Sequence, residues 1–349
     1  MASTKENGTA AVAQQLGSVS LNESGGQDND AQPTAKNGTK TELCSACGKE
    51  SDTLKKCTAC KCVWYCDRDC QKRHYGEHKK ECKPIKKALA KRGGVLDLGT
   101  EMDLGPLGEL PPQEKCPICT RVLPIHTVLQ MHKTCCGKTI CAGCQLQHQR
   151  KNGYRHTCAF CGEPTPKSDE EELARLRKRV ELEDGTALLN LALAHGYGDH
   201  GLPKDQAKCI ELLRESADLG CTINQYELGI FHHDGRMGLE QNKEEAFKYW
   251  EKAAEGGHIL ARHNLGYMKY ANGDHVVAMR HCRLSASGGY RHSMDNLMIY
   301  FERGLLHHED LANTLQAMYA ARAERESKGR DAYFAYLKKT GEYHAEYEY

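Results

Sequence analysis

The stretch from Cys60 to Cys82 reads CKCVWYCDRDCQKRHYGEHKKEC. It holds five cysteines and two histidines around one of the chain's two tryptophans. Thiols and imidazoles at this density admit three chemistries: metal ligation, disulfide pairing or a reactive thiol. The rest of the chain selects among them. The N-terminus, MASTKENGTAAVAQQLGSVS, has no basic segment followed by an apolar one, so no secretory signal is expected. An intracellular chain, in cytoplasm or nucleus, meets a reducing medium in which disulfides do not persist. Sixteen of the 19 cysteines lie between Cys44 and Cys161. Dense cysteine in a reduced setting points to metal.

Working outward, the spacing is Cys44-x2-Cys47, Cys57-x2-Cys60, Cys66-x3-Cys70 and His78-x3-Cys82. A two-residue spacer lets a tight turn aim two sulfurs at one ion. A three-residue spacer puts i and i+4 on one helix face. Four pairs make eight soft or borderline donors, enough for two tetrahedral Zn2+ ions. About forty residues cannot bury a sufficient core alone, so metal should supply the folding energy. Every position is filled by protein, whereas a catalytic zinc keeps one open for water.

This order and spacing resemble the MYND-type zinc finger, whose Y-C-x-x-x-C-Q run stands here as Tyr65-Cys66 to Cys70-Gln71. The resemblance implies interleaved pairs. Cys44, Cys47, Cys66 and Cys70 would hold one zinc, and Cys57, Cys60, His78 and Cys82 the other. It also implies a groove for short proline-containing peptides beside Gln71 and an aromatic residue. The family's tryptophan is replaced by Tyr75. Cys62 and His74 fall outside the ligand set.

A second zone runs from 114 to 166. Cys116-x2-Cys119, Cys135-Cys136, Cys141-x2-Cys144 and Cys158-x2-Cys161 give eight more cysteines. The pattern is similar to a RING-type finger, with Lys138 where that family has a ligand histidine. Ammonium cannot ligate zinc. Cys116, Cys119, Cys141 and Cys144 complete one site. Cys136, Cys158 and Cys161 need a fourth donor, for which Cys135 is the natural recruit ahead of His132, His148 or His156. One or two ions are therefore expected in this finger. Ile118 matches the family's docking position for a ubiquitin-conjugating enzyme. Gly162 stands where active members often carry arginine.

Beyond 186 the chain repeats. ALLNLALAHGYG, NQYELGIFHHDG and ARHNLGYMKYANG stack so that Ala192, Gly229 and Gly266 fall 37 residues apart. An amphipathic stretch follows each, and the last unit is degenerate. Small residues where helices cross and glycine at helix ends mark a helix–turn–helix repeat. The pattern resembles Sel-one-like repeats of the tetratricopeptide superfamily, most closely in YELGIFHHDG and AFKYWEKAAEGG. That resemblance implies an α-solenoid whose concave face binds protein. Trp250, Tyr226 and Phe247 read as core, and Cys209, Cys221 and Cys282 as small buried residues.

The expected fold class is thus multidomain: small zinc-stabilised α+β fingers, then an all-α helical-repeat solenoid. The expected divisions are a disordered tail at 1–41, the first finger at 42–83, a linker at 84–113, the second finger at 114–166, a connecting helix at 167–185, repeats at 186–330 and a C-terminal tail at 331–349. Ser168 and Glu171 have capping-box spacing, and Leu173, Leu176 and Val180 form one stripe. The leading function is a protein-interaction adaptor with structural zinc and no catalytic residue. The alternative is a RING-type ubiquitin ligase whose solenoid selects substrate. SET-type lysine methylation finds no cofactor motif here. Net charge is +1, so nucleic acid is a weak candidate, and no apolar run is long enough to span a membrane.

Overall fold

The repeats become helix pairs in this computed structural model, which describes residues 42–344 except 52, 98, 106, 154 and 155. The tail expected at 1–41 lies outside the described residues. The pairs are α4 (Gly185–Tyr197) with α5 (Gln206–Asp218), α6 (Thr222–Asp234) with α7 (Lys243–Glu255), α8 (Ile259–Ala271) with α9 (His275–Ser287), and α10 (Arg291–Glu302) with α11 (His308–Arg325). The second helices of the first three pairs are capped by Asp205, Asn242 and Asp274. Each side chain accepts a backbone N–H three residues on. Trp250, Cys209 and Cys282 are buried, and Tyr226, Phe247 and Cys221, the last just before α6, are partly buried.

The 37-residue register is a packing constraint. A Cβ on Gly229 would lie 2.3 Å from Trp250 Nε1, and one on Gly266 would lie 2.9 Å from Cys282 Sγ. No side chain larger than hydrogen fits where these paired helices cross. Ahead of the repeats, α3 (Asp169–Val180) packs on α4 through Leu173 and Val180. Ser168 Oγ accepts from the Glu171 N–H, but the Glu171 carboxylate returns to the N–H of Lys167, one residue earlier than a capping box requires.

The first finger has a two-stranded antiparallel sheet, β1 (Lys55–Lys56) with β2 (Trp64–Tyr65), followed by α1 (Arg68–Lys91). Helix α1 runs through Pro84, which removes one hydrogen bond. Burial of Ile85, Ala88 and Leu89 outweighs that loss. These residues share one hydrophobic cluster with Leu297, Phe301, Leu311 and Leu315 of the fourth repeat. The finger is thus built into the solenoid's last unit. In the segment expected as a linker, 84–113, IKKALAKRGG extends α1 and the helix stops just before Gly93–Gly94. The segment is helical to Lys91, and its remainder is strapped to the repeats. Met102 N–H donates to the Leu305 carbonyl at 3.1 Å, and Arg283 Nη1 donates to the Gly105 carbonyl at 3.0 Å.

The second finger has a hairpin, β3 (Gln130–Lys133) with β4 (Lys138–Cys141), and then α2 (Ala142–Lys151). Against α2 lies α12 (Lys328–Thr340). The C-terminal tail expected from 331 is therefore helical through Thr340. Its amphipathic face buries Phe334 and Leu337 beside Leu129. Helix α12 approaches α2 tightly at Gly143, where a Cβ would lie 2.5 Å from the Gly329 backbone carbon.

Two outcomes follow from these crossings. Gly229→Ala should lower thermal stability: overpacking costs about 1–3 kcal/mol, and helix propensity returns only about 1 kcal/mol. A calorimetric midpoint at or above wild type would contradict the crossing. Gly143→Ala should free α12, detected as faster proteolysis within residues 328–340, while the repeats remain protected.

Candidate metal centres

Four Cys-x2-Cys knuckles share one backbone pattern. In each, the first cysteine's carbonyl accepts from the residue after the second cysteine: Gly48 on Cys44, Lys61 on Cys57, Thr120 on Cys116 and Gly162 on Cys158, at 2.8–2.9 Å. All four donors have positive φ, between 58° and 78°. That left-handed residue turns the chain so both sulfurs face one point. Glycine is the natural occupant, and Lys61 and Thr120 adopt the conformation against preference. Gly162 is thereby accounted for by its knuckle turn. The return strand is fixed by the bridges Leu43–Glu50, Lys115–Val122 and Thr157–Pro164.

The structure brings sixteen donors together in four sets: Cys44, Cys47, Cys66, Cys70; Cys57, Cys60, His78, Cys82; Cys116, Cys119, Cys141, Cys144; and Cys135, Cys136, Cys158, Cys161. Within each set all donor atoms lie within 4.8 Å of one another. A tetrahedral zinc with Zn–S of about 2.3 Å requires edges of about 3.8 Å. The edges here include 3.6 Å for Cys47–Cys66, 3.8 Å for Cys57–Cys82 and 3.9 Å for both Cys116–Cys144 and Cys119–Cys141. Adjacent Cys135 and Cys136 reach one centre because their hairpin is tight. The N–H groups of Cys136 and Gly137 both donate to the Lys133 carbonyl, and Gly137 has φ 67°. Cys135 then lies 3.4 Å from Cys161, and Cys136 lies 4.0 Å from Cys158.

In the Cys57 and Cys116 sets the thiols shift one another in opposite directions, as suits a shared cation. Hydrogen bonds from Cys60 and Cys82 drive the Cys57 thiol far down, and Cys141 and Cys144 do the same to Cys116. Their donors are driven up in return: Cys82 by Cys57 and Cys60, Cys144 by Cys116 and Cys141. One thiolate per buried set is sustained by neighbours that must keep their protons. A divalent ion removes that conflict and expels the remaining protons. At Cys44 burial opposes ionisation, yet backbone N–H groups of Ala46, Cys66 and Cys47 bring the thiol down to about 7.

The spare residues have other partners. Cys62 is buried, 3.2 Å from His308 Nε2. His74 Nδ1 lies 3.0 Å from the Tyr65 hydroxyl, and burial, with His78 nearby, pushes its pKa to about 4. His132 meets Asp184 at 3.4 Å, His148 meets Thr157 Oγ1 at 2.7 Å, and His156 is exposed, as is Lys138. Gln71 is half-buried on α1. Tyr75 beside it is 49% exposed and Ile118 is 39% exposed.

Sequence reading missed the groups that surround the donors. Arg73 Nη2 donates to Cys70 Sγ at 3.0 Å, an i,i+3 helix neighbour that spacing could have found. Others come from the far end of the chain and have no local signal. His308 Nε2 lies 2.8 Å from the Cys60 carbonyl, and Gln316 Nε2 donates to the Cys62 carbonyl at 3.2 Å. Arg330 of α12 is 3% exposed and adjoins Cys141.

Comparison with known proteins agrees with this anatomy. The MYND finger family model matches residues 44–82, which span all eight donors of the first finger. The Sel1 repeat model matches residues 185–221 and 225–258. The chain is 39% identical over 56 residues to SET domain and MYND-type zinc finger protein 6 of Schizosaccharomyces pombe, covering 16% of this chain and 11% of that one. It is 46% identical over 50 residues to a histone-lysine N-methyltransferase of Arabidopsis thaliana, covering 14% of this chain and 10% of that one. The chain thus spans about a tenth of the length of these curated relatives. Among solved structures, a Sel1 repeat protein from Oxalobacter formigenes aligns at 26% identity and TM-score 0.34, covering 37% of this chain and 98% of that one. A protective antigen of uropathogenic Escherichia coli displaying an SLR fold aligns at 23% identity and TM-score 0.39, covering 58% and 44%. No helix among the described residues is long and apolar enough to cross a membrane. The chain carries a MYND finger over residues 44–82 and Sel1 repeats beginning at residue 185.

Proposed function

We propose that this protein is a zinc-pinned interaction scaffold with two structural ions in each finger. The carrying observation is that all four donor sets consist of four protein donors each. A shell closed in this way leaves no position for substrate or water, so the ions hold shape and do no chemistry. Function then lies on the surfaces they fix. The first is the face of α1 bearing Gln71 and the exposed Tyr75, suited to a proline-containing peptide whose ring can stack on a phenol. The second is the concave face of the repeats, offered to a protein partner. Sixteen thiol and imidazole ligands remain available only where thiols stay reduced, which favours cytoplasm or nucleus.

Elemental analysis of the purified full chain should give four zinc ions per chain. Two or fewer would contradict the closed-shell reading of one finger, and three would leave the Cys135 set without metal. Among proline-containing peptides that bind, Tyr75→Ala should weaken affinity by about tenfold, equivalent to about 1.4 kcal/mol. An unchanged dissociation constant would remove the peptide groove from the proposal.

A further inference from the structure

His78 is the one imidazole among the sixteen donors. Its Nε2 faces the donor set, 3.3 Å from Cys60 Sγ. Its Nδ1 faces away and meets the hydroxyl of Tyr319 at 3.2 Å. Tyr319 belongs to α11, 241 positions downstream and outside the finger. The same hydroxyl donates to Glu81 Oε2 at 2.7 Å. Its single hydrogen is thereby spent, so toward His78 the phenol oxygen accepts. Nδ1 therefore carries the ring hydrogen and Nε2 is left free to ligate, an assignment made from the network. Glu81 Oε1 accepts in turn from Arg291 Nη1 at 2.7 Å.

The chain of bonds runs from imidazole to phenol to carboxylate to guanidinium. His78, Glu81 and Tyr319 are 1%, 2% and 5% exposed. A carboxylate buried this deeply is costly unless every partner is in place. Ring packing alone does not require the hydroxyl. Tyr319 stands edge-on to His74 with ring centres 4.3 Å apart, and phenylalanine would fill the same space. Ligand histidines gain orientation and basicity from a carboxylate held against the distal N–H. Here a tyrosine from another part of the chain carries that influence.

We propose that Tyr319 and Glu81 are positioning residues for the site of Cys57, Cys60, His78 and Cys82, so that the fourth repeat completes the first finger's metal centre from outside. Retention of that ion depends on α11 being docked. This rests on the first finger holding zinc.

The test uses the full-length chain. Zinc content is measured first, because a finger without zinc sinks the metal reading itself. Transfer to a chromophoric chelator is then followed for wild type, Tyr319→Phe, Glu81→Gln and Glu77→Gln. Glu77 pairs with Arg322 at 3.3 Å across the same interface without joining the His78 chain. One ion per chain should leave Tyr319→Phe and Glu81→Gln about 10–100-fold faster, with the other ions and Glu77→Gln unchanged. Cobalt-loaded Tyr319→Phe should show shifted ligand-field bands of a three-sulfur, one-nitrogen centre. Normal zinc content with wild-type release from Tyr319→Phe would overturn the proposal. Should that variant not fold, histidine nitrogen NMR on the zinc-loaded wild type decides. Metal on Nε2 with a slowly exchanging Nδ1 proton is expected, and metal on Nδ1 would overturn it.

Discussion

Sulfur concentrated as it is here suits a bound cation. Sixteen donors in four sets, each set within 4.8 Å, would otherwise hold thiols that cannot all lose their protons. The turns and strands of both fingers follow from that constraint. The knuckles need their left-handed residue to aim two sulfurs at once. The strands are only two to four residues long because they serve the turns. The apolar surface inside each finger is small, so bound ions would replace a core.

The same smallness explains why the fingers lean on the repeats. Helix α1 buries its apolar face in the cluster of the fourth repeat, and α2 receives α12 at Gly143. Neither finger is a bead on a string. The strap between them follows the repeats, with Arg283 holding the Gly105 carbonyl and also pairing with Asp310 at 2.7 Å. A scaffold built this way presents its finger surfaces in fixed relation to the solenoid. A partner that spans both would meet one pre-arranged surface, which lowers the ordering cost of binding.

The clustering of the donors was legible because knuckle spacing is a local property of sequence. The repeats were legible because Gly229 and Gly266 must be small wherever such helices cross, and that requirement recurs at a fixed interval. Cys135 could be reached only by elimination, since nothing local reveals that the hairpin at Lys133 curls tightly enough for adjacent cysteines. The docking of α12 was missed because KGRDAYFAYLKKT has a modest apolar face that gains meaning only beside α2. Tyr319, His308 and Arg330 were invisible for a related reason. They reach the metal sites across about two hundred residues of chain, and no spacing rule spans such a gap. Pro84 does not end α1, because burial of Ile85, Ala88 and Leu89 carries the helix onward.

The central claim is that metal and repeats stabilise each other through one shared core. Native-state hydrogen exchange on the full chain, with zinc bound and after chelation under reducing conditions, tests it most directly. Chelation should strip protection from α1 and also from α10 and α11, while α4 to α7 keep theirs. Full protection of α10 and α11 in the metal-free chain would contradict the claim and make the fingers independent appendages.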